Sequence, residues 1–125
     1  ICLGLQLLFE ASQESGGCEC LDLIKGQVRL FPGGEGRKVP QIGWNTVESD
    51  VNGCPLFKGI ENGTYFYFVH SYYCDCEQEE YIAGLTEYGV RYASAIWKEN
   101  IFAVQFHPER SQSSGLKILE NFSRL

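Results

Sequence analysis

The sequence holds two histidines, so a proton-shuttling imidazole has two candidates. His107 directly follows the apolar run IFAVQF, which places it at a strand's carboxyl end, where open α/β sheets present their ligands. Pro108 stops the strand, and Glu109, two residues from the imidazole, can hold one ring nitrogen and leave the other free. That is the base-plus-orienter half of a nucleophilic site. The nucleophile it needs is a thiol or hydroxyl on a tight turn. Cys2, in ICLGLQLLFE, sits where a nucleophile elbow would put it: glycine nearby relieves crowding, the backbone N–H of Leu3 faces the reacting carbonyl, and a helix start favours the thiolate. Gln6, one turn on, returns to the same side. Each half has a structural alternative, a core cysteine among leucines and a hydrogen-bonded core histidine beside a solvated glutamate. His70, in FVHSYY, also ends a strand, but no carboxylate follows; it is read as structural or pocket-lining.

The elements needed to bring these groups together are legible in outline. Leu5, Leu7, Leu8, Phe9 and Ala11 predict a buried helix that dissolves at SQESGG. GQVRLFP reads as a strand ending at Pro32, and KVPQIGWNTVE as an irregular strand edge marked by Pro40 and Gly43. NGCPLFKGI reads as a loop with a short helical turn, and the aromatic, β-branched YFYFVHSYY as one strong strand. YIAGLTEYG and RYASAIWKEN predict two strands joined at Gly89, and NIFAVQFHPE a buried strand. In SGLKILENFSRL, Leu116, Leu119, Phe122 and Leu125 recur every three residues, predicting a helix that packs that face on the sheet. The order of elements is α/β.

Composition narrows the partners. At 125 residues and 44% apolar the chain is about one domain, and its net charge of −6 argues against nucleic acid. No apolar run approaches the ~18 residues of a membrane span, so no membrane partner is expected. Six cysteines invite a disulfide framework. Their spacing, with Cys18/Cys20 and Cys74/Cys76 as C-x-C pairs, fits neither that nor the usual C-x2-4-C zinc knuckle. Reduced thiols in a cytoplasmic protein without metal or other cofactor are the expectation.

C-x-G-x-Q at the elbow together with F-H-P-E near the end resembles the triad-type, class I glutamine amidotransferases. Within that family the segments VPQIGWN, YFVHSYY, TEYG, SAI and QFHPERSQSSGLKILENF are similar to the glutaminase subunits of imidazole glycerol phosphate synthase, in order and over nearly the whole chain. The resemblance implies a flavodoxin-like open sheet with flanking helices, and a catalytic triad of Cys2, His107 and Glu109. It implies that Leu3 supplies an oxyanion donor, and that Gln6 and the backbone around Ser71 and Tyr72 bind L-glutamine. Trp44 and Asn45 would face a (β/α)8-barrel cyclase subunit that receives the ammonia in histidine biosynthesis. Arg110 stands where many relatives carry lysine, and CECLDL departs from a glycine-rich version.

Relatives carry roughly 70 to 80 further residues before the elbow, in keeping with domains of ~200 residues. With no initiator methionine and no strand leading into Cys2, residues 1–125 are expected to be the C-terminal portion of a single amidotransferase domain whose N-terminal strands are missing, and by themselves to have little or no glutaminase activity. Two alternatives stay open: a triad amidotransferase of anthranilate, guanylate or carbamoyl phosphate synthesis, and a non-catalytic partner-binding protein.

Overall fold

Residues 1–34 and 36–125 are described by the structure, a computed structural model. Its elements are α1 (Leu3–Gln6), β1 (Ala11–Ser12), β2 (Cys18–Glu19), β3 (Gly26–Leu30), β4 (Gln41–Val47), β5 (Thr64–His70), β6 (Tyr72–Cys76), β7 (Ile82–Glu87), β8 (Arg91–Lys98), β9 (Ile101–Val104) and α2 (Gln112–Ser123). Among the described residues, seven strands form one open sheet in the order β2-β1-β3-β6-β8-β7 with β9 also on β8, while β4 and β5 form a separate ribbon. The β1–β3 pair is parallel, and the other pairings are antiparallel. The mixed α/β class expected from the order of elements, and the open sheet that the resemblance implies, are thus found.

Strand β8 organises the sheet. β7 runs along one of its edges, joined through a turn in which Gly89 takes φ 76, a left-handed conformation that glycine adopts without steric cost. The other edge is shared, with Cys74 of β6 opposite Ala93 and Val104 of β9 opposite Ala95. Ser94, between those partners, is the extra residue of a bulge against β7, where the register jumps from Leu85↔Ala93 to Gly84↔Ala95. The Thr86 hydroxyl donates to Thr46 O and therefore accepts from the Ser94 hydroxyl, while Ser94 O accepts the Gln105 N–H at 2.8 Å. β6 and β9 thus diverge from β8 at a fixed point, and a fork opens between them.

Apolar residues fill both sides of the sheet. On one, Leu5 and Phe9 pack with Ile24, Val28, Cys74, Ile96 and Ala103. On the other, the ribbon's Val47, Phe66 and Phe68 meet Phe31, Tyr92, Phe106 and Ile118 of α2, with the Phe66 and Phe106 rings stacked at 4.2 Å. Each fully buried side chain of this size contributes about 1.5–3 kcal/mol.

Three expectations from the sequence are corrected. The first helix does not run to Ala11: it closes after Gln6, and the backbone N–H groups of residues 21–24 take the carbonyls of Leu7, Leu8 and Phe9 that a longer helix would have used. YFYFVHSYY is not one strand. It breaks at Ser71, with β5 pairing in the ribbon and β6 in the main sheet. In α2 the three-residue repeat marks the outer face: Leu116 and Phe122 are 65% and 55% exposed, whereas Gly115, Ile118 and Asn121 are buried. The inner face is chosen by fit. A Cβ on Gly115 would fall on the Pro108 carbonyl, and Asn121 Nδ2 donates to Leu56 O and Lys58 O.

Candidate active site

Cys2 takes φ 53, ψ −103 at the start of α1, a backbone conformation that non-glycine residues adopt only where the surroundings enforce it. Two sets of bonds enforce it here. The Cys2 N–H donates to Val104 O at the end of β9, and its carbonyl accepts from Leu5 and Gln6 as the helix begins. The Leu3 N–H, first in that helix and so without an intrahelical acceptor, lies against the sulfur. Gln105 Nε2 donates to Sγ at 3.4 Å, and Sγ lies 4.0 Å from Val69 O. Burial pushes the Cys2 thiol above its ordinary pKa. The Gln105 and Leu3 hydrogen bonds oppose the rise, and the Glu109 charge adds to it.

His107 lies three residues after the end of β9, its N–H held by Tyr67 O at 2.9 Å and its carbonyl by the Ser111 hydroxyl at 2.7 Å. The same hydroxyl accepts the Tyr67 N–H, so the histidine backbone is tied to β5 twice. His107 Nδ1 and Glu109 Oε1 are 2.6 Å apart. A carboxylate only accepts, which places the proton on Nδ1 and leaves Nε2 with its lone pair in the neutral ring. Among the described residues Nε2 makes no hydrogen bond, and none joins His107 to Cys2. Burial raises the Glu109 carboxyl, but its own backbone N–H, His107 and Arg110 more than offset this and hold it below the ordinary value.

Cys2 and His107 nevertheless share one scaffold. Val104 O anchors Cys2, the Gln105 side chain meets its sulfur, and His107 follows two residues later. On β5 the carbonyls of Tyr67 and Val69, two residues apart and so directed to the same edge of the strand, meet the His107 N–H and the Cys2 sulfur. α1 thereby spans the fork, bound to β9 through Cys2 and to the start of β6 through Gln6, whose Nε2 donates to Tyr72 O at 3.0 Å and to Gln105 Oε1 at 3.2 Å.

Tyr72 O also accepts from His70 Nδ1 at 2.7 Å, so this carbonyl is committed inside the protein. Ser71 O likewise accepts the Phe31 N–H, but among the described residues the Ser71 N–H and hydroxyl and Gln6 Oε1 make no hydrogen bond. His70 is structural in its contacts: it is 6% exposed, its Nε2 faces the Tyr92 hydroxyl at 3.2 Å, and burial lowers its pKa from 6.5 to about 4. Gln105 was not singled out from the sequence as a site residue. Its signal was a carboxamide inside the apolar run IFAVQF, two residues before the imidazole.

Trp44 lies on the ribbon, 45% exposed, with its ring edge-on to Tyr67, over which the Arg110 guanidinium sits at 4.5 Å. Asn45 bonds inward, donating to Glu87 O and accepting the Thr46 N–H. An apolar hollow of about 250 Å³ between Ile1, Phe102, Leu119 and Phe122 holds no titratable side chain. All six cysteines are unpaired thiols. Among the described residues no three or more His, Cys, Asp or Glu side chains are grouped to hold a metal ion, and no helix is long and apolar enough to cross a membrane.

The geometry thus comprises a strained cysteine at a helix start and a histidine–carboxylate pair after a strand end. The family described as glutamine amidotransferase class-I matches residues 1–124. The chain is 54% identical over its full 125 residues to imidazole glycerol phosphate synthase subunit HisH of Methanocaldococcus jannaschii, covering 62% of that protein. It is 52% identical over 125 residues to the same subunit of Moorella thermoacetica, covering 58%, and 51% identical over 130 to that of Thermococcus kodakarensis, covering 64%. It therefore spans less than two thirds of these relatives' length. On the match across all but its last residue, the chain belongs to the class-I glutamine amidotransferase family.

Proposed function

We propose that the protein is the glutaminase subunit of an imidazole glycerol phosphate synthase, using Cys2, His107 and Glu109 as its catalytic triad. The observation that carries this reading is the attachment of Cys2 and His107 to one segment, residues 104–107, with Glu109 on the imidazole's far nitrogen. The Cys2 thiolate adds to the side-chain carboxamide carbon of L-glutamine, and the developing oxyanion meets the Leu3 N–H. His107, carrying the thiol's proton on Nε2, gives it to the departing nitrogen as the C–N bond breaks, releasing ammonia and leaving a glutamyl thioester. Water then adds, His107 takes its proton, and glutamate leaves as the sulfur is freed. Gln6 Oε1 and the Ser71 N–H hold the substrate's polar groups. Glu109 keeps the proton on Nδ1 and steadies the imidazolium.

The names of the relatives, all subunits of imidazole glycerol phosphate synthase, support the acceptor pathway. The ammonia passes to a (β/α)8-barrel cyclase subunit in a cytoplasmic heterodimer, and Trp44 and Asn45 of the ribbon face that subunit. Co-expression of the intact protein with the cyclase, followed by glutamate release from glutamine, tests the reading. Turnover abolished by Cys2→Ala and by His107→Asn supports it, and turnover indifferent to both removes it.

A further inference from the structure

Gln105 has no role in the chemistry just described, yet it is fully buried and bonded at both ends of its carboxamide. The orientation of that carboxamide follows from its neighbours. Tyr72 O can only accept, so the Gln6 atom bonded to it is the nitrogen, and the Gln105 atom facing the same nitrogen at 3.2 Å must be the oxygen. The NH2 end of Gln105 is therefore turned to the Cys2 sulfur at 3.4 Å. The Gln105 backbone is fixed too, its N–H bonded to Ser94 O at the bulge. A buried N–H donor held from two sides is a preorganised partner for a negative sulfur, since hydrogen bonds to ionised groups are roughly twice as strong as neutral ones.

We propose that Gln105 is a positioning residue for the nucleophile: pinned by Gln6 and by the bulge at Ser94, it donates its side-chain N–H to the Cys2 sulfur and stabilises the thiolate. The inference rests on the reading of Cys2 as nucleophile, but it makes a claim about the sulfur alone. The charged and titratable groups acting on that sulfur are Glu109 after β9 and the Cys74 thiol of β6, and both are kept in the variants below.

The test is the pH dependence of Cys2 alkylation by iodoacetamide in the intact protein, read peptide by peptide by mass spectrometry so that the other five cysteines do not contribute. Gln105→Met keeps the length of the side chain and removes the donor. The midpoint of Cys2 alkylation should rise by about one pH unit, which is about tenfold less thiolate at neutral pH. Gln6→Leu, which frees Gln105 Oε1, should move it in the same direction by less. A folded Gln105→Met protein with an unmoved midpoint overturns the proposal. If the variants do not fold, the wild type decides: the Gln105 side-chain 15N amide resonance should titrate with the Cys2 midpoint, and a resonance that stays fixed across it overturns the proposal. A shifted midpoint in a protein without glutaminase turnover keeps the positioning role and removes the function proposed above. Normal turnover with an unmoved midpoint does the reverse.

Discussion

His70 makes the stability of this fold depend on pH in a way that can be calculated. Its ring is buried against Phe31, Phe68 and Tyr92, with Nδ1 on Tyr72 O, and its pKa falls from 6.5 to about 4. Above pH 6.5 the ring is neutral folded and unfolded, and the group contributes no pH dependence. Between 6.5 and 4 the unfolded chain binds a proton that the folded chain refuses, so stability falls as the pH is lowered. At 1.36 kcal/mol per pH unit, the loss from this one group by pH 5 is about 2 kcal/mol, and by pH 4 about 3 kcal/mol. His70→Gln keeps a donor for Tyr72 O and removes the titration. Urea unfolding of both proteins at pH 7.5 and pH 5 isolates the effect, because carboxylates common to both cancel. The wild type should lose about 2 kcal/mol more than the variant over that interval. Equal losses would refute the assignment of a buried, neutral His70.

Further outcomes follow from the same geometry. Gly115→Ala places a methyl on the Pro108 carbonyl and should cost about 1–3 kcal/mol by urea unfolding, with glutaminase turnover falling as the His107–Glu109 turn is displaced. Asn121→Leu strands the carbonyls of Leu56 and Lys58, and a loss of about 1–3 kcal/mol is expected in the same assay. Glu109→Gln removes a charge-assisted bond of about 1.5–3 kcal/mol from His107, so kcat should fall by about 10- to 100-fold with KM for glutamine little changed. Arg91→Ala, which breaks the exposed 2.6 Å pair with Glu48, should change stability by less than about 1 kcal/mol.

What could be read from the sequence was what lies close along the chain. His107, Pro108 and Glu109 carry their own geometry within three residues, and the Gly89 hairpin its own turn. The break of YFYFVHSYY at Ser71 was hidden because both halves have the same strand preference. The break is made by distant pairings, β4 with β5 and β3 with β6. The inner face of α2 was misjudged because hydrophobicity favoured Leu116 and Phe122, while packing selected Gly115 and Asn121 through partners 7 and 65 residues away. Gln105 escaped notice for the same reason: its partners, Gln6 and Cys2, lie 99 and 103 residues off.

The central claim, that the Cys2 sulfur is the attacking atom, is tested most directly by treating the intact protein with a glutamine-like electrophile and mapping the adduct. A single glutamyl adduct on Cys2, lost when excess glutamine competes, is the predicted result. An adduct on Cys18 or Cys54 with Cys2 unmodified would contradict it.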